Sequence, residues 1–395
     1  MRPEELRASI VLSGIFGLRM LGMFVILPVF AFYAEGLPGG DNLTLVGVAI
    51  GIYGLTQAIL QIPFGYWSDR YGRKPVIYAG LAVFAAGSFI AAVGVHIYIV
   101  MLGRLLQGAG AIAAPVMAMA TDLTREENRP KAMAMIGSTI GATFALSLVF
   151  APWLNGVIGV PGIFVMTGVL VLVSIGVVYG VVPDDPERAH HIHMPAMRQL
   201  VATLRDPQLA RLNLGTLTLH SVLMALFIAV PLELRRLGLA ADLHWQVYLP
   251  VMLGSFVLML PAVLGSGRSN RMKPIFVGTI AALFVVQVLM PWGMNSVWAA
   301  ALYLLAFFTA FNVLEALLPT LVTRTAAPGT RGVAIGAFTS LQFLGTFIGA
   351  AAGGFVYGRW GTTGTVAFGA ALVSVWLVAA LGTTVPSPSQ ASAQA

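Results

Sequence analysis

The sequence predicts an all-α membrane protein whose twelve transmembrane helices form two pseudo-symmetric bundles of six. Composition is the first reason, because 58% of the 395 residues are hydrophobic and only 9% are charged, whereas about a quarter of the residues in soluble domains are charged. The second reason is that the apolar residues form continuous runs of about 20, the length of a helix that crosses a bilayer. The third reason is that landmarks of the first half recur in the second half.

Charged and polar stretches divide the chain into twelve spans, numbered in chain order. We predict them at residues 8–33, 45–67, 75–95, 97–121, 132–158, 162–182, 212–232, 245–264, 274–292, 297–322, 332–357 and 363–385. The first run contains Arg19 and is long enough to cross the bilayer, so we interpret it as an uncleaved helix and not as a signal peptide. Residues 1–182 and 212–385 form the two bundles, 183–211 form a polar linker, and 386–395 form a disordered tail.

The linker contains three histidines, His190, His191 and His193. A metal site is one interpretation, but the chain has no cysteine and the spacing lacks a helical scaffold, so we favour a solvated, flexible loop. We expect no cofactor, no metal and no catalytic residue. A membrane-embedded enzyme is disfavoured, because the sequence contains no nucleophile elbow and no nucleotide-binding loop.

Lysine and arginine are distributed unevenly along the predicted topology. Seventeen of the 22 lie at the N-terminus, in the linker or in the loops after spans 2, 4, 8 and 10, whereas three lie in loops on the other side and two lie within spans. We call the side with seventeen the basic face. The positive-inside rule predicts that this face is cytoplasmic, with both termini on it, in a bacterial inner membrane. The pI near 9.9 therefore reflects topology, and no nucleic-acid partner is expected.

The two halves repeat each other. Three pairs of landmarks are related by offsets of 203, 204 and 199 residues, respectively: Pro28 and Pro231, Pro115 and Pro319, and Lys74 and Lys273. Two six-helix repeats with the same orientation imply a pseudo-twofold axis along the membrane normal, with a substrate site between the halves near the midplane. The second half carries Arg268 where the first has Asp69, so a charge relay is expected only in the first half.

A charged motif separates spans 2 and 3, and reads Gly-Tyr-Trp-Ser-Asp-Arg-Tyr-Gly-Arg-Lys-Pro over residues 65–75. Because charged side chains are costly in hydrocarbon, we expect Asp69, Arg70, Arg73 and Lys74 to lie in a short loop in which Gly72 supplies the turn. The motif matches every specified position of Gly-x-x-x-Asp-Arg-x-Gly-Arg-Lys, and thereby resembles the signature of major facilitator superfamily transporters. The resemblance implies the major facilitator fold and transport by alternating access.

The resemblance also implies a gate. Asp69, Arg73 and Asp122 resemble superfamily residues that brace the two half-bundles when the cavity faces outward, with the aspartate of the loop near the amino end of span 11, where a helix dipole favours a carboxylate. A simple positive-inside anchor is the alternative, and it explains the neighbouring basic residues but not the two aspartates. The remaining residues of the motif are Gly65, Arg70, Gly72 and Lys74.

Span 4 carries Arg104, Gln107, Gly108 and Gly110 in the order Arg-x-x-Gln-Gly-x-Gly, which resembles the fourth-helix signature of the superfamily. Arg104 and Gly108 share a helical face, as do Gln107 and Gly110. Pure packing is one interpretation. We favour close helix packing at the glycines, combined with a polar network or proton coupling at Arg104.

Three further residues are costly where they lie: Arg19 in span 1, His220 in span 7 and Glu315 in span 10. A charge at mid-bilayer costs about 2.5 to 3.5 kcal/mol. Asn312 shares a helical face with Glu315, and spans 1, 4, 7 and 10 line the cavity in the fold that the chain resembles, so these residues would converge there. We hypothesise that Glu315 takes up and releases a proton, with Arg19 or Arg104 setting its pKa and His220 as a second titrating group. A static buried ion pair is the alternative. The other polar candidates, for which helix packing is an equally good interpretation, are Tyr53, Gln57, Gln61 and Gln342.

Four runs extend the resemblance over most of the chain, at residues 17–24, 51–72, 123–126 and 315–319. They are similar to the bacterial YajR subgroup, which is regarded as a group of proton-driven efflux transporters. That subgroup carries a soluble C-terminal domain, and because this sequence ends shortly after span 12 we expect the function of that domain to be absent. Span 5 ends in Ala-Pro-Trp-Leu-Asn-Gly, which keeps two of the four specified positions of the Gly-Pro-x-x-Gly-Gly motif of drug antiporters.

Together these features predict a secondary active transporter that exports a small molecule in exchange for protons. We expect a monomer in the lipid bilayer, whose partners are the substrate and protons. A proton-coupled importer or a facilitator of a small metabolite is the alternative, and a transport-inactive sensor is disfavoured.

Overall fold

The structure is a computed structural model that describes residues 1–183, 196–266, 269–327 and 330–384. The chain divides into two compact units, unit 1 at Met1–Ile192 and unit 2 at His193–Ala395. The expected disordered tail, the three linker histidines and Arg268 lie outside the described residues.

The regular secondary structure of the described ranges is helical. Unit 1 contains α1 (Pro3–Phe24), α2 (Phe30–Glu35), α3 (Leu43–Tyr71), α4 (Arg73–Ala92), α5 (Ile97–Ala109), α6 (Ala113–Asp122) and α7 (Arg129–Val181). Unit 2 contains α8 (Ala196–Arg205), α9 (Pro207–Arg236), α10 (Trp245–Ser266), α11 (Ser269–Val288), α12 (Met290–Gly293), α13 (Val297–Thr325) and α14 (Arg331–Leu381). Two 3-10 turns lie at Glu126–Asn128 and Ala241–Leu243.

Ten helical segments of the described chain are long and apolar enough to cross a membrane. Two of them exceed a single crossing, because α7 has 53 residues and α14 has 51, whereas a bilayer core needs about 20. Each is interrupted by a glycine with positive φ, Gly159 at 67° in α7 and Gly361 at 58° in α14. Counted as two crossings each, they bring the described spans to twelve, which confirms the predicted fold class.

The charged motif does not form the loop that was predicted. Asp69 and Arg70 belong to the last turn of α3, and Arg73 and Lys74 begin α4. Only Gly72 lies between the two helices, with a φ of 96° that disfavours any residue with a side chain. The turn at Gly72 is therefore confirmed. The loop prediction was wrong because a helix keeps its own backbone hydrogen bonds beyond the hydrocarbon, so its ends can carry charges at the membrane surface.

The end of the predicted linker is also helical. It contains the amphipathic helix α8 and the first turn of α9. The side chain of Asp206 accepts hydrogen bonds from the backbone N–H groups of Gln208 and Leu209 at 2.8 and 2.9 Å, and Pro207 occupies the first helical position. This is a strong helix start. The flexible-loop prediction was wrong here, because residues 196–205 form α8 and Asp206 caps α9.

Spans 1 and 4 of unit 1 are broken, whereas the equivalent spans of unit 2 are continuous. The breaks fall around Pro28, between α1 and α2, and at residues 110–112, between α5 and α6 and ahead of Pro115. In unit 2, Pro231 lies inside α9 and Pro319 inside α13. The predicted continuous spans 1 and 4 are thus two segments each. Proline favours such breaks because it lacks an N–H donor and its ring clashes with the preceding turn.

A row of three glycines lets α14 lie directly against α9 in unit 2. Gly345, Gly349 and Gly353 recur every fourth residue and share one helical face. A Cβ atom would lie 2.1 Å from the Ser221 carbonyl oxygen at Gly349, and 2.4 Å from the Leu217 carbonyl oxygen at Gly345. The two backbones therefore approach as closely as in other small-residue interfaces of membrane helices.

Substitution of Gly349 by alanine should lower the thermal unfolding midpoint of the purified protein in detergent, because the added methyl group overlaps the α9 backbone. Overpacking of this kind costs about 1 to 3 kcal/mol. Gly336 in the same helix is the matched control, since no atom lies within 4 Å of the position of its Cβ. Gly336→Ala should leave the midpoint unchanged or raise it, and equal midpoints for the two variants would contradict the close packing.

Candidate functional site

Arg73 joins two aspartates at the basic face of unit 1. Its Nε donates a hydrogen bond to Oδ2 of Asp122 at 2.9 Å, and its Nη1 donates to the carboxylate of Asp69 and to Oγ of Ser68, the latter at 2.8 Å. Ser68 in turn donates to the carbonyl of Gly65 at 2.8 Å. The structure thus brings together the three charged residues that the sequence grouped, and adds Ser68, which occupies an unspecified position of the motif. The cluster ties the ends of α3, α4 and α6 together, and its role as a gate remains a prediction.

Arg70 contacts an aromatic ring instead. Its guanidinium carbon lies 5.5 Å from the centroid of the Tyr71 ring, and its side chain is exposed. Lys74 lies half-buried in the first turn of α4. The exposed position of Arg70 at the membrane surface fits the anchoring role that was the alternative for this residue.

A second charged cluster, around Glu5, was missed by the sequence analysis. Glu5 accepts hydrogen bonds from Nε of Arg125 at 2.9 Å, the Arg125 backbone N–H at 3.0 Å, Nδ2 of Asn128 at 3.2 Å and the Arg2 backbone N–H at 2.7 Å. The hydrogen bond to Glu5 raises the pKa of the Arg125 guanidinium above its usual value. The cluster ties the start of α1 to the turn that follows Asp122. Acidic residues are common in the first turn of any helix, and Arg125 lies 120 residues away, so no local signal pointed to this pair.

Arg19 and Arg104 are buried inside unit 1, with 0% and 1% of their surfaces exposed. Arg19 Nε donates to the carbonyl of Gly110 at 3.0 Å, and Arg104 Nη1 donates to the carbonyl of Gly22 at 3.2 Å. Gly110 lies at the break between α5 and α6, and Gly22 lies in the last turn of α1. Arg19 of α1 thus binds a carbonyl at the break between α5 and α6, and Arg104 of α5 binds a carbonyl next to the break after α1.

Tyr53 of α3 contacts both guanidinium groups through its ring. Their central carbons lie 5.5 Å (Arg19) and 4.9 Å (Arg104) from the ring centroid. Neither guanidinium pairs with a carboxylate in the described part of the chain. Cation–π contacts and neutral oxygen acceptors therefore provide the stabilisation that a salt bridge would otherwise supply.

Amide side chains extend this network within unit 1. Gln57 accepts a hydrogen bond from Arg19 and donates one to Gln61 at 2.8 Å. Gln107 accepts from Arg104 at 2.8 Å and donates to Ser88 of α4 at 2.8 Å. Gly108 brings α5 against α3, because a Cβ there would lie 2.1 Å from the Tyr53 carbonyl oxygen. This close approach of α5 to α3 agrees with the packing role predicted for Gly108.

Three polar side chains meet inside unit 2. Nε2 of His220 lies 3.7 Å from Oε2 of Glu315 and 2.8 Å from the side-chain nitrogen of Gln342, which also donates to Oε1 of Glu315 at 3.3 Å. Nδ1 of His220 lies 3.0 Å from the carbonyl oxygen of Thr216. A carbonyl oxygen only accepts, so Nδ1 carries the hydrogen and Nε2 accepts from the amide. His220 thus lies beside an ionisable carboxyl group.

Glu315 has one oxygen without a hydrogen-bond partner. Its side chain is 36% exposed, yet Oε2 is buried and receives no hydrogen bond. Phe311 lies on the same helix as Glu315. Its ring packs edge-on against the ring of His220, with the two centroids 5.8 Å apart. In the described residues no group of three or more histidine and carboxylate side chains is placed to hold a metal ion. Glu315 and His220 both carry ionisable groups, and their role in proton coupling remains a prediction.

Asn312 has different neighbours from Glu315. Its Nδ2 donates to Oγ of Ser255 in α10 at 3.0 Å, and the residue is 8% exposed. The sequence predicts that Asn312 and Glu315 share a helical face. In the structure they contact different neighbouring helices, because residues three apart differ by about 60° around a helix axis. Asn312 thus joins α13 to α10, whereas Glu315 joins α13 to α9 and α14.

We expect Arg19→Lys to lower the thermal unfolding midpoint in detergent. A lysine ammonium keeps the charge but lacks the planar fork that reaches the Gly110 carbonyl and Gln57 together. Gln57 Oε1 accepts from Arg19, and a buried acceptor left without a donor costs about 1 to 3 kcal/mol. Arg7→Lys, at an exposed position of the same helix, is the control and should leave the midpoint unchanged. An Arg19→Lys midpoint equal to that of the wild type would show that the fork does not stabilise the break.

Glu5→Gln should expose the turn after α6 to protease, because the neutral amide loses the charge-assisted hydrogen bonds from Arg125. The measurement is the rate of trypsin cleavage after Arg125, followed by fragment mass. Glu4→Gln removes the same charge from an exposed neighbour and should leave that rate unchanged. If both variants are cleaved at the wild-type rate, the Glu5 cluster does not hold this turn.

Comparison with known proteins agrees with this architecture. The chain matches the family model of the Major Facilitator Superfamily over residues 12–350. It is 42% identical over 381 residues to the inner membrane transport protein YajR of Escherichia coli (strain K12). The aligned region covers 96% of this chain and 84% of YajR. Over a shorter stretch of 148 residues, or 37% of each chain, it is 29% identical to multidrug resistance protein 1 of Bacillus subtilis (strain 168).

A solved structure with the same fold is a bacterial homologue of the human lysosomal transporter Spinster, in an inward-facing and occupied conformation. It superimposes with a TM-score of 0.76 at 14% sequence identity, and covers 96% of both chains. At this identity the likeness establishes the fold alone.

Proposed function

Because this chain belongs to the major facilitator superfamily, it is a multi-pass membrane transporter and not an enzyme, and we propose that it couples the movement of a small molecule to that of protons. The observation that carries the proposal is the cluster of His220, Glu315 and Gln342 inside the spans of unit 2. Ionisable residues within transmembrane helices are costly, and they commonly mark proton relays.

Two atoms of this cluster can take up a proton. One is Oε2 of Glu315, which is buried and receives no hydrogen bond, so its protonation breaks none. The other is Nε2 of His220, where protonation would place an imidazolium 3.7 Å from the Glu315 carboxylate. In either case one proton raises the net charge of the cluster by one, and such a change matters more in a low-dielectric surrounding than in water.

Gln342 links that charge change to helix packing. Its amide nitrogen faces both His220 and Glu315, so it suits the state in which Nε2 is unprotonated. A protonated Nε2 would require the amide oxygen instead, because both groups would otherwise be donors. Proton binding therefore changes the contacts among α9, α13 and α14. A ligand that contacts two conformational states of a protein differently shifts the equilibrium between those states.

We assign the direction as export in exchange for protons, with the basic face and both termini in the cytoplasm. Three observations support the assignment: the excess of basic residues on that face, the similarity to an inner membrane transport protein, and the partial similarity to a protein named for multidrug resistance. The cluster of Asp69, Arg73 and Asp122 serves as the gate on the basic face, and the transporter acts as a monomer.

Glu315→Gln should abolish proton movement coupled to the substrate, because glutamine keeps the shape of the side chain but cannot bind and release a proton. Purified protein is reconstituted into vesicles with an imposed pH gradient and challenged with lipophilic cations, organic acids and sugars. We expect at least one compound to collapse the gradient in wild-type vesicles, and Glu315→Gln vesicles to behave like protein-free vesicles.

Glu233→Gln is the matched control for this experiment. Glu233 is a buried carboxylate of α9 that accepts hydrogen bonds from Thr362, Tyr357 and Arg236 at 2.6 to 3.0 Å, and glutamine retains an acceptor oxygen there. This variant should conduct protons like the wild type. Substrate movement without proton flux would make the protein a facilitator. Equal proton flux in wild type and Glu315→Gln would mean that Glu315 has only a structural role and that coupling lies elsewhere.

A further inference from the structure

The amphipathic helix α8 carries an exposed apolar face. Val201 and Leu204 are 40% and 42% exposed, and Leu200 is partly exposed. At about 100° per residue, the three side chains cover roughly 100° of the helix circumference. Thr203, which lies about 160° from Val201, is buried and marks the side on which α8 packs against α9 and α14. The apolar face therefore points away from the helices against which α8 packs.

Helix α8 lies next to the ends of two membrane-crossing helices. Only Asp206, whose backbone is extended, separates α8 from α9. The first turns of α9 are joined to the residues after α14, since Arg211 Nη1 donates to the Gly382 carbonyl at 2.8 Å. Gln208 Oε1 accepts from the Thr384 backbone N–H at 3.0 Å. Both α9 and α14 are long and apolar enough to cross a membrane, and the topology predicted from the sequence places these two ends on the basic face, so α8 lies at the membrane surface there.

The basic residue at the end of α8 suits the headgroup region of a bilayer. Arg205 is exposed and pairs with no carboxylate in the ranges that the structure describes. It lies about 40° beyond Val201 around the helix axis, at the border of the apolar face, where an arginine stem covers apolar surface while its guanidinium reaches the polar phase. An apolar face bordered by a basic residue is typical of helices that lie in the membrane interface.

We propose that α8 is an interfacial helix, with its apolar face in the leaflet at the basic face of the protein and Arg205 among the headgroups. The partner is the lipid surface itself, because the leaflet is the apolar phase next to a helix that one residue joins to a transmembrane helix. Burial of the apolar face in lipid is favourable, since it removes apolar area from water. The helix thereby holds the start of α9 at a fixed depth, and this inference does not depend on proton coupling.

The test places single spin labels on two sides of α8. The chain contains no cysteine, so Val201→Cys, Leu204→Cys and Ala202→Cys each provide one labelling site in the full-length protein. Ala202 is exposed on the side opposite the apolar face, and it is the matched control. Each labelled protein is reconstituted into vesicles of phosphatidylethanolamine and phosphatidylglycerol. Power saturation then measures how far the label is accessible to oxygen, which partitions into lipid, and to a water-soluble nickel chelate.

We expect the labels at residues 201 and 204 to report depths of about 5 to 10 Å below the headgroup boundary. At these two residues the accessibility to oxygen should exceed the accessibility to the nickel chelate, whereas the label at residue 202 should show the reverse, because it faces water.

A second substitution in the protein labelled at residue 201 tests whether apolar contact holds the helix in the interface. Leu204→Glu should shift the label towards water, because a carboxylate on the apolar face opposes its burial in lipid. Ala202→Glu adds the same charge on the opposite side and should leave the depth of the label unchanged. If Leu204→Glu does not fold, the three single labels provide the test, because each of them replaces an exposed residue.

Equal accessibility to the nickel chelate at residues 201, 202 and 204 would mean that the apolar face lies in water, and would overturn the proposal. Low accessibility to both reagents at residues 201 and 204 would mean that protein covers this face, either the preceding linker or a second molecule, and would overturn it as well. An unchanged depth of the label at residue 201 in Leu204→Glu would overturn the role of apolar burial in holding α8 at the membrane surface.

Discussion

A backbone carbonyl in the membrane interior must find its hydrogen-bond donor within the protein, and this requirement governs the construction of unit 1. Two of its spans are broken, and an unsatisfied polar group in hydrocarbon costs several kcal/mol. Arg19 and Arg104 resolve this reciprocally, since each donates to a carbonyl at the break in the other helix. The two breaks therefore stabilise each other, and the loss of either arginine affects both spans.

Arginine suits this role better than lysine, because its planar group carries five donors and tolerates neutral acceptors. Tyr53 contacts both guanidinium groups through its ring, and Gln57 and Gln107 accept one hydrogen bond each from the two arginines. A positively charged network without a carboxylate in the described residues thus fixes α1, α3 and α5 together. The two arginines therefore add donors at the irregular backbone of these spans, at the carbonyls of Gly110 and Gly22.

Unit 2 uses the corresponding spans differently. Its α9 and α13 continue through Pro231 and Pro319 without interruption, so their backbones need no buried arginine. The polar residues of these helices, His220 and Glu315, are joined instead by Gln342 of α14 into a cluster with two ionisable groups. The corresponding spans therefore carry a positively charged network in unit 1 and an ionisable cluster in unit 2.

Much of the fold follows from the sequence by itself, because hydropathy and charge are local properties of short segments. The twelve spans, the basic face and the grouping of Asp69, Arg73 and Asp122 could all be predicted from composition, spacing or a motif. The helix breaks, the pairing of Glu5 with Arg125 and the bridging position of Gln342 required the tertiary structure. Each of these depends on which donor meets which acceptor after helices distant in the chain have packed, and no local pattern encodes that match.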